Sequence, residues 1–296
     1  MARLRGESRP GGIAWEGVPQ AGAFVAAGLH ALQEAHGPSS LVGEVGAAGW
    51  EAQLASASKP GLGGSASATV AAVLAAARAL AIPLTPPALF TLAARAHTLA
   101  QGGRGSGIDV AASAYGGAVA FAATGGAPEL RPLPWPGAVP LLVAFTGASA
   151  STRERIDRFR ALVAAEPGWV DGWIAASNAG VDRAEAALNR VDPPAFAEAL
   201  TQLRLGLLEL GRRAGFPMED RGLEILAEVM EGRGAAKQSG AGGGDVGIAV
   251  PRGLGEVAAV EADLRAAGLI PLALTLGASP WDGEVSGARG PGADRR

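Results

Sequence analysis

Three glycine-rich stretches constrain this chain more than any other feature of its sequence. They read KPGLGGSAS (59–67), GRGSGIDVAASAYGG (103–117) and KQSGAGGGDVGIA (237–249). The first stands directly before an almost wholly apolar run at 66–80, which predicts a helix whose N-terminus opens onto the glycines. Free backbone N–H groups at such a helix end favour an anion, so this loop is a candidate phosphate cradle. A glycine-rich helix cap without a ligand is the alternative.

Two of these stretches begin with a lysine. Arginine supplies the background of positive charge, and Lys59 and Lys237 are the two lysines of the chain. Because a lysine ammonium is a compact charge on a flexible stem, each is a candidate contact to a phosphate or a substrate. A solvated loop lysine is the alternative.

The composition excludes several classes of protein. The 296 residues are 48% hydrophobic, which is enough for a sizeable core and for two domains. With a net charge of −3 and no apolar run of membrane-spanning length, we expect a soluble, cytoplasmic protein that binds neither nucleic acid nor membrane. The absence of cysteine excludes disulfides and thiol catalysis. The histidines, His30, His36 and His97, lack the spacing of a zinc site and are interpreted as surface or partly packed side chains.

Periodicity predicts an α+β fold without strict βαβ alternation. Helices are predicted at 22–35, 66–80, 87–100, 169–190, 194–213, 219–231 and 256–267, and a further helix begins at Ser151. Strands are predicted at 41–47, 117–122, 141–145, 246–250 and 270–274. The segment 278–296 has no apolar periodicity and is predicted to be a disordered tail.

The glycine-rich stretches do not match two common phosphate-binding loops. The chain has no GxxxxGK[ST] sequence, and no HRD or DFG supports a protein-kinase fold. GLGGSA superficially resembles a dinucleotide-binding GxGxxG/A, but that motif expects an acidic residue about 20 positions later. Between Glu51 and Glu129 the only acidic residue is Asp109, which stands in the second glycine-rich stretch.

In their order along the chain, the three stretches resemble the motifs of the GHMP kinase superfamily, the small-molecule kinases related to galactokinase, homoserine kinase and mevalonate kinase. Within that superfamily they are most similar to the phosphomevalonate kinases, and the likeness runs through residues 3–276. Two departures are visible: Gly64 replaces a serine of the first motif, and Val246 replaces the cysteine of the third. Gly64 keeps the backbone donors and loses one hydroxyl.

The resemblance implies the two-domain GHMP kinase fold. The N-terminal ATP-binding domain, expected at 1–136, would resemble domain 2 of ribosomal protein S5, and the C-terminal domain, expected at 137–277, would be ferredoxin-like. The family usually begins with a strand and a loop of the type A-P-G-K, and nothing before Gly22 matches them. We therefore expect this chain to lack the first N-terminal strands of the family.

The resemblance also implies phosphorylation of (R)-5-phosphomevalonate by ATP with Mg²⁺, in the mevalonate pathway of isoprenoid biosynthesis. The implied nucleotide-binding residues are Gly61, Leu62, Gly63, Gly64, Ser65, Ala66, Ser67, Gly240, Gly242 and Gly243, with Ser65 also at the metal. The implied acceptor-binding residues are Arg104, Ser106, Gly107, Ser149, Ser151, Lys237 and Ser239. A helix cap is the alternative role for Ser151, since Ser151 and Glu154 form a capping box.

Asp109 and Lys59 are the candidate catalytic residues. Phosphoryl transfer depends on positioning and on neutralising charge. Because the second pKa of a phosphate monoester is about 6, the acceptor is already largely dianionic at neutral pH. We therefore expect Asp109 to orient the acceptor and its cations more than to act as a strong base. Lys59, Arg104 and Lys237 are the nearest candidates for the positive charge that a dianion requires.

Three other interpretations remain open. A different GHMP enzyme, such as a mevalonate kinase, would share the phosphate cradle and take another acceptor. A catalytically impaired, truncated ATP-binding homologue would bind nucleotide without turnover. A nicotinamide oxidoreductase is the least favoured, because the acidic residue of its motif is missing. In each case we expect a monomer or a homodimer.

Overall fold

The computed structural model describes residues 6–9, 12–15, 22–37, 61–103, 105–123, 125–146, 152–240, 242–272, 274 and 280–281. These residues group into two compact units. The N-terminal unit contains the described residues up to 37, those from 63 to 133, and residues 280–281. The C-terminal unit contains residues 61–62 and the described residues from 134 to 274.

The N-terminal unit is a helical core with two short antiparallel hairpins. Its helices are α1 (Ala23–His36), α2 (Gly64–Ala79), α3 (Pro86–Ala100) and α4 (Ile108–Tyr115). One hairpin pairs β1 (Gly6–Arg9) with β2 (Gly12–Trp15), and the other pairs β3 (Ala118–Ala122) with β4 (Glu129–Leu133). The strand predicted at 41–47 lies outside the described residues.

Small side chains let the helices of this unit pack closely. Its core cluster takes seven alanines from α2, α3 and α4 together with larger residues such as Leu32, Val73 and Leu89. At Gly28 of α1 a Cβ would lie only 3.1 Å from the Thr69 carbonyl oxygen of α2, so a side chain there would force the two helices apart. The apolar run that follows the first glycine-rich stretch is therefore buried against α1.

The C-terminal unit is built on one antiparallel sheet. Its strands are β5 (Leu142–Phe145), β6 (Gly234–Gln238), β7 (Val246–Pro251) and β8 (Ile270–Leu272), in the spatial order β6-β7-β5-β8. Its helices are α5 (Thr152–Ala165), α6 (Pro167–Asn189), α7 (Pro193–Ala214), α8 (Arg221–Met230) and α9 (Val257–Ala266). Gly247 on β7 pairs with Gln238 on β6, which places the third glycine-rich stretch at the turn between these two strands.

Alternation along the strands gives this sheet two buried faces. Ala235 and Val250 pack in a cluster with α6 and α7, whereas their neighbours Ala236 and Ala249 pack in a cluster with α8 and α9. Successive side chains of a strand point to opposite faces, so helices on both sides bury the short strands. Among the described residues, no helix combines the length and the hydropathy required to cross a membrane.

The prediction of a disordered tail at 278–296 is wrong for residues 280 and 281. They fall in the segment 278–296, which lacks periodicity and was expected to be a disordered tail, yet Pro280 and Trp281 belong to the N-terminal unit. Trp281 packs against the core cluster of that unit, and its Nε1 donates to the Ala114 carbonyl (2.9 Å). A single tryptophan anchor has no periodicity, so the sequence pattern could not reveal it. The rest of that segment lies outside the described residues.

Candidate functional site

Helix α2 begins at the first glycine-rich stretch. Its N-cap is Gly63 in the left-handed conformation (φ 71°, ψ 29°), and none of the described side chains caps the helix. The Ser67 amide donates the first helical hydrogen bond to the Gly63 carbonyl (3.0 Å). The amides of Gly64, Ser65 and Ala66 therefore have no acceptor inside the helix, and its first turn carries no acidic residue. This end of α2 suits an anion such as a phosphate.

Asp109 lies beside this helix end. It stands in the first turn of α4, whose N-cap is Gly107 in the left-handed conformation (φ 78°). A Cβ placed on Gly63 would lie 3.2 Å from the Asp109 Cβ and 4.0 Å from its Oδ2. The other carboxylate oxygen, Oδ1, accepts from the Val110 amide (2.9 Å). The first and second glycine-rich stretches therefore meet within the N-terminal unit, with a carboxylate next to the N-terminus of α2.

A buried histidine contacts the Ser65 side chain. The Ser65 Oγ lies 3.0 Å from His97 Nε2, which is also 3.4 Å from Gln101 Nε2. His97 is 3% exposed, and burial lowers its pKa, while the negative charge of Asp109 acts in the opposite direction. The neutral ring can accept the proton of the Ser65 hydroxyl at Nε2. His97, interpreted from sequence as a surface or partly packed side chain, is instead a buried residue of the site.

Two more residues of the first stretch differ in what they can offer a ligand. The Ser67 Oγ lies 3.2 Å from the Ser113 Oγ of α4. Ala66 is fully buried in the core. Ala66 can therefore serve a ligand only through its backbone, whereas Ser67 presents an exposed hydroxyl.

Gly61 and Leu62 belong to the C-terminal unit. Gly61 has φ +58°, and a Cβ on it would lie 2.8 Å from the Asp245 Cβ. Asp245, in the third glycine-rich stretch, itself has φ 62°. Leu62 packs against the cluster that contains Phe145 and Val246. Within this unit, the start of the first stretch is therefore fixed against the sheet by a close contact that only a glycine permits.

The third glycine-rich stretch forms the turn between β6 and β7. The Ser239 amide donates to the Val246 carbonyl (3.0 Å), and the Gly243 amide donates to the Met218 carbonyl (2.8 Å). Lys237, at the end of β6, donates from Nζ to the Gln238 carbonyl (3.0 Å). Burial lowers the pKa of Lys237. An anion close to this ammonium would favour its charged form.

Arg155 is a residue of this region that sequence reasoning missed. Its guanidinium occupies the position that a Cβ on Gly243 would take, and it lies 5.7 Å from the centre of the Phe216 ring. The nearest signal in the sequence was its position on α5, one turn after Ser151. Because arginine is the common basic residue in this chain, that signal was weak.

The structure describes some of the remaining predicted site residues and not others. Four lie outside the described residues: Lys59, Arg104, Ser149 and Ser151. Ser106 is exposed, and its Oγ accepts from the Ile108 amide (3.4 Å). Ser239 and Gly240 are also exposed, whereas Gly242 is buried. The roles proposed for all of these residues stay predictions.

The donors present fit a metal held mainly by phosphates. Over the part of the chain that the structure describes, no group of three or more His, Cys, Asp or Glu side chains could hold an ion. Mg²⁺ commonly takes only one or two protein carboxylates and completes its shell with phosphate oxygens and water. Asp109 and the Ser65 hydroxyl, beside the free amides of α2, match that pattern.

Residues 57–117 match the family of the GHMP kinases N terminal domain. The matched range contains the whole of the first and second glycine-rich stretches, together with Ser65, His97 and Asp109. The resemblance stated from the sequence is therefore confirmed.

Two curated relatives share much of the chain. It is 30% identical over 241 residues to a phosphomevalonate kinase from a Streptomyces species, a match that covers 73% of this chain and 64% of the relative. It is 31% identical over 216 residues to a mevalonate kinase from Pyrococcus horikoshii, covering 72% of this chain and 61% of the relative. The chain thus spans somewhat less than two thirds of the length of the curated relatives it matches.

A solved structure shares the fold. Streptococcus pneumoniae phosphomevalonate kinase, in complex with phosphomevalonate and AMPPNP, matches with a TM-score of 0.72 at 18% identity, over 88% of this chain and 83% of that one. The prediction of an α+β fold of the GHMP kinase type is confirmed.

Proposed function

We propose that this protein is an ATP-dependent small-molecule kinase. The observation that carries the proposal is the contact between Gly63 and Asp109, which brings a carboxylate to a helix end with free amides. Phosphoryl transfer needs such a cradle for the polyphosphate and a group that orients the acceptor. The match of residues 57–117 to the GHMP kinases supports this assignment.

The residues of the first stretch fit a nucleoside triphosphate. The first-turn amides of α2 would bind its phosphates, and the Ser65 hydroxyl and Asp109 would hold Mg²⁺. The bound metal would neutralise charge that accumulates on the phosphates during transfer. His97, neutral because burial lowers its pKa, would orient the Ser65 hydroxyl without adding a second cation.

The acceptor that we propose is (R)-5-phosphomevalonate. The terminal phosphoryl group of ATP would pass to a phosphate oxygen of the acceptor, so that one P–O bond forms as the bond to the leaving ADP breaks. The products are ADP and 5-diphosphomevalonate. Asp109 would orient the acceptor, and Lys59, Arg104 and Lys237 would offset the charge of its dianionic phosphate. The Streptomyces relative and the phosphomevalonate-bound structure support this choice of acceptor.

Mevalonate is a second candidate acceptor. The similarity to the Pyrococcus horikoshii mevalonate kinase is at the same level of identity as that to the phosphomevalonate kinase. A panel of acceptors separates the two. We expect kcat/KM for 5-phosphomevalonate to exceed that for mevalonate by at least about tenfold, because cations placed for a phosphate would be left unpaired by a neutral hydroxyl. Equal kcat/KM values would refute the phosphomevalonate assignment and leave the kinase assignment standing.

The Asp109→Asn variant tests the catalytic assignment. Since the charge of Asp109 matters more than its shape in this proposal, we expect turnover to fall at least about tenfold while ATP affinity stays within a few-fold. Product formation followed by phosphorus NMR and AMPPNP binding followed by calorimetry give the two readouts. Wild-type turnover in the variant would reduce Asp109 to a residue that caps its own loop.

A chain that binds AMPPNP and turns over no acceptor would support the impaired homologue. This outcome would separate nucleotide binding, which rests on α2, from catalysis. Failure to bind AMPPNP at all would overturn the kinase proposal itself.

A further inference from the structure

The residues Pro280 and Trp281 connect two helices of the N-terminal unit. Arg78, in the last turn of α2, donates from Nη2 to the Pro280 carbonyl (3.0 Å). The next residue, Trp281, donates from its indole nitrogen to the Ala114 carbonyl in the last turn of α4 (2.9 Å). Its ring also packs against the core cluster to which both helices contribute. Two consecutive residues, remote in sequence, therefore contact the C-terminal ends of α2 and α4.

The hydrogen bond from Trp281 supplies a donor to the Ala114 carbonyl, for which the helix itself has no amide donor. The last four carbonyls of an α-helix have no amide donor inside it, and Ala114 lies one residue before the end of α4 at Tyr115. Helix α4 has eight residues, and isolated helices of this length are marginal in water. Its stability therefore depends on tertiary contacts such as the one with Trp281.

The opposite ends of α2 and α4 form the candidate site. Gly63 at the start of α2 lies against Asp109 at the start of α4. Asp109 precedes Ala114 by five residues, or about one and a half helical turns. A rotation or fraying of so short a helix at its C-terminal end would move the Asp109 carboxylate at the other end.

We propose that Trp281 is a positioning residue for Asp109. Trp281 holds the C-terminal end of α4, the Arg78 contact fixes the adjacent backbone to α2, and together they keep Asp109 against the N-terminus of α2. The catalytic part of this inference rests on the proposed kinase function. Its structural part, the ordering of α4 by Trp281, does not.

The test compares Trp281→Phe with Trp135→Phe. The first variant keeps an aromatic ring and removes the N–H that Ala114 accepts. The control makes the same change in the C-terminal unit, where Trp135 donates to the Val139 carbonyl (3.0 Å) and packs against Phe196. Both variants lose one indole hydrogen bond of similar geometry and retain most of their buried apolar surface.

Hydrogen exchange measures the ordering of α4 without any assay of activity. In Trp281→Phe, we expect the amides of the last turn of α4 to exchange about threefold to tenfold faster than in the wild type, because one hydrogen bond to a helix end is lost. The Trp135→Phe control should leave these amides unchanged. Unchanged exchange in Trp281→Phe would overturn the inference whatever the outcome of the kinase assays.

Kinetics measures the effect on Asp109. We expect Trp281→Phe to lower kcat by about threefold to tenfold while the KM for ATP stays within about twofold, because the cradle on α2 is intact. Arg78→Gln should shift kcat in the same direction and by less. An equal loss of kcat in the Trp135→Phe control would mean that general destabilisation is the cause, and the positioning role would then be wrong.

Discussion

At the scale of single residues, His97 couples the protonation of a buried ring to the stability of the fold. Burial lowers its folded-state pKa below the ordinary value of about 6.5. The unfolded chain therefore binds more protons than the folded one between these two pKa values, and stability rises with pH there. The contribution is fully present above about pH 6.5 and is lost as the pH falls through the folded-state pKa.

The prediction is that His97→Gln weakens the dependence of stability on pH. Thermal unfolding measured from about pH 8 down to about pH 5 should show a shrinking difference between wild type and variant. His36→Gln is the matched control, since His36 is exposed at the end of α1. If the wild type and His97→Gln lose stability in parallel on acidification, His97 is not the group responsible.

Unlike His97, Gln238 is a buried polar side chain without a hydrogen bond among the described residues. It is 0% exposed, and neither its Oε1 nor its Nε2 has a hydrogen-bond partner among the residues that the structure describes. An unpaired buried amide costs about 1–3 kcal/mol, so Gln238→Met, which keeps the length of the side chain, should raise the free energy of unfolding by about 1–2 kcal/mol.

Urea unfolding of the two proteins checks this prediction. Gln202→Met serves as the control, because Gln202 is exposed on α7 and its replacement should change stability by less than about 0.5 kcal/mol. A lower stability of Gln238→Met than of the wild type would show that the carboxamide is hydrogen-bonded in solution. In that case the side chain would belong to the supporting structure of the glycine turn.

The sequence alone could identify two residues of the site, Asp109 and Gly63. Asp109 was identifiable because it is the only acidic residue over a long stretch, and Gly63 because the apolar run follows it. His97 was not, since its role comes from burial and from the Ser65 hydroxyl, which lies 32 positions away in the sequence. Arg155 was missed for a similar reason: its contact with Gly243 depends on how α5 packs.

At the scale of elements, the glycines of the first stretch are not equivalent. Gly61 has a positive φ and lies against Asp245, whereas a Cβ placed on Gly64, at the start of α2, would meet none of the described atoms within 4 Å. Gly61→Ala should therefore destabilise the protein by about 1–3 kcal/mol through backbone strain and steric contact. Gly64→Ala should be neutral or stabilising by up to about 1 kcal/mol.

Thermal and urea unfolding of the two alanine variants distinguish these roles. The pair is matched because both replacements add the same methyl group within three residues of each other. Similar stability of the two variants would mean that the close approach of Gly61 to Asp245 can relax without cost.

Long periodic elements were predictable, and short elements beside glycines were not. The predictions at 87–100 and 194–213 correspond to α3 and α7 within one residue at each end. The sequence pattern predicts no helix at α4, because eight residues give little more than two turns of periodicity. Strands β4 and β6 were also missed. β6 has the sequence GAAKQ, whose two alanines face opposite sides of the sheet and give no alternation.

At the scale of the whole molecule, the two units obtain their cores in different ways. The N-terminal unit packs alanine-rich helices against one another, while the C-terminal unit buries both faces of a sheet under helices. The central segment of the N-terminal unit ends at residue 133, and the domain boundary expected at 136 stays a prediction. The assignment of Gly61 and Leu62 to the C-terminal unit could not be predicted, because it depends on the packing of Leu62 against Phe145 and Val246.

Ligand binding should be visible as a change in the stability of the folded chain. A ligand that binds only the folded state adds about 2.7 kcal/mol at a concentration of 100 times its Kd. AMPPNP with Mg²⁺ should therefore raise the Tm by several degrees, and chelation of the metal should reduce this shift, since the phosphates would lose the ion that neutralises them. Asp109→Asn should keep most of the shift, because the first-turn amides of α2 and the Ser65 hydroxyl are unchanged and the asparagine keeps one oxygen for the metal. NAD is the matched negative control, given that the chain lacks the acidic residue of a dinucleotide-binding motif. A Tm that responds to NAD and not to AMPPNP would reverse the assignment of the first glycine-rich stretch as a triphosphate cradle.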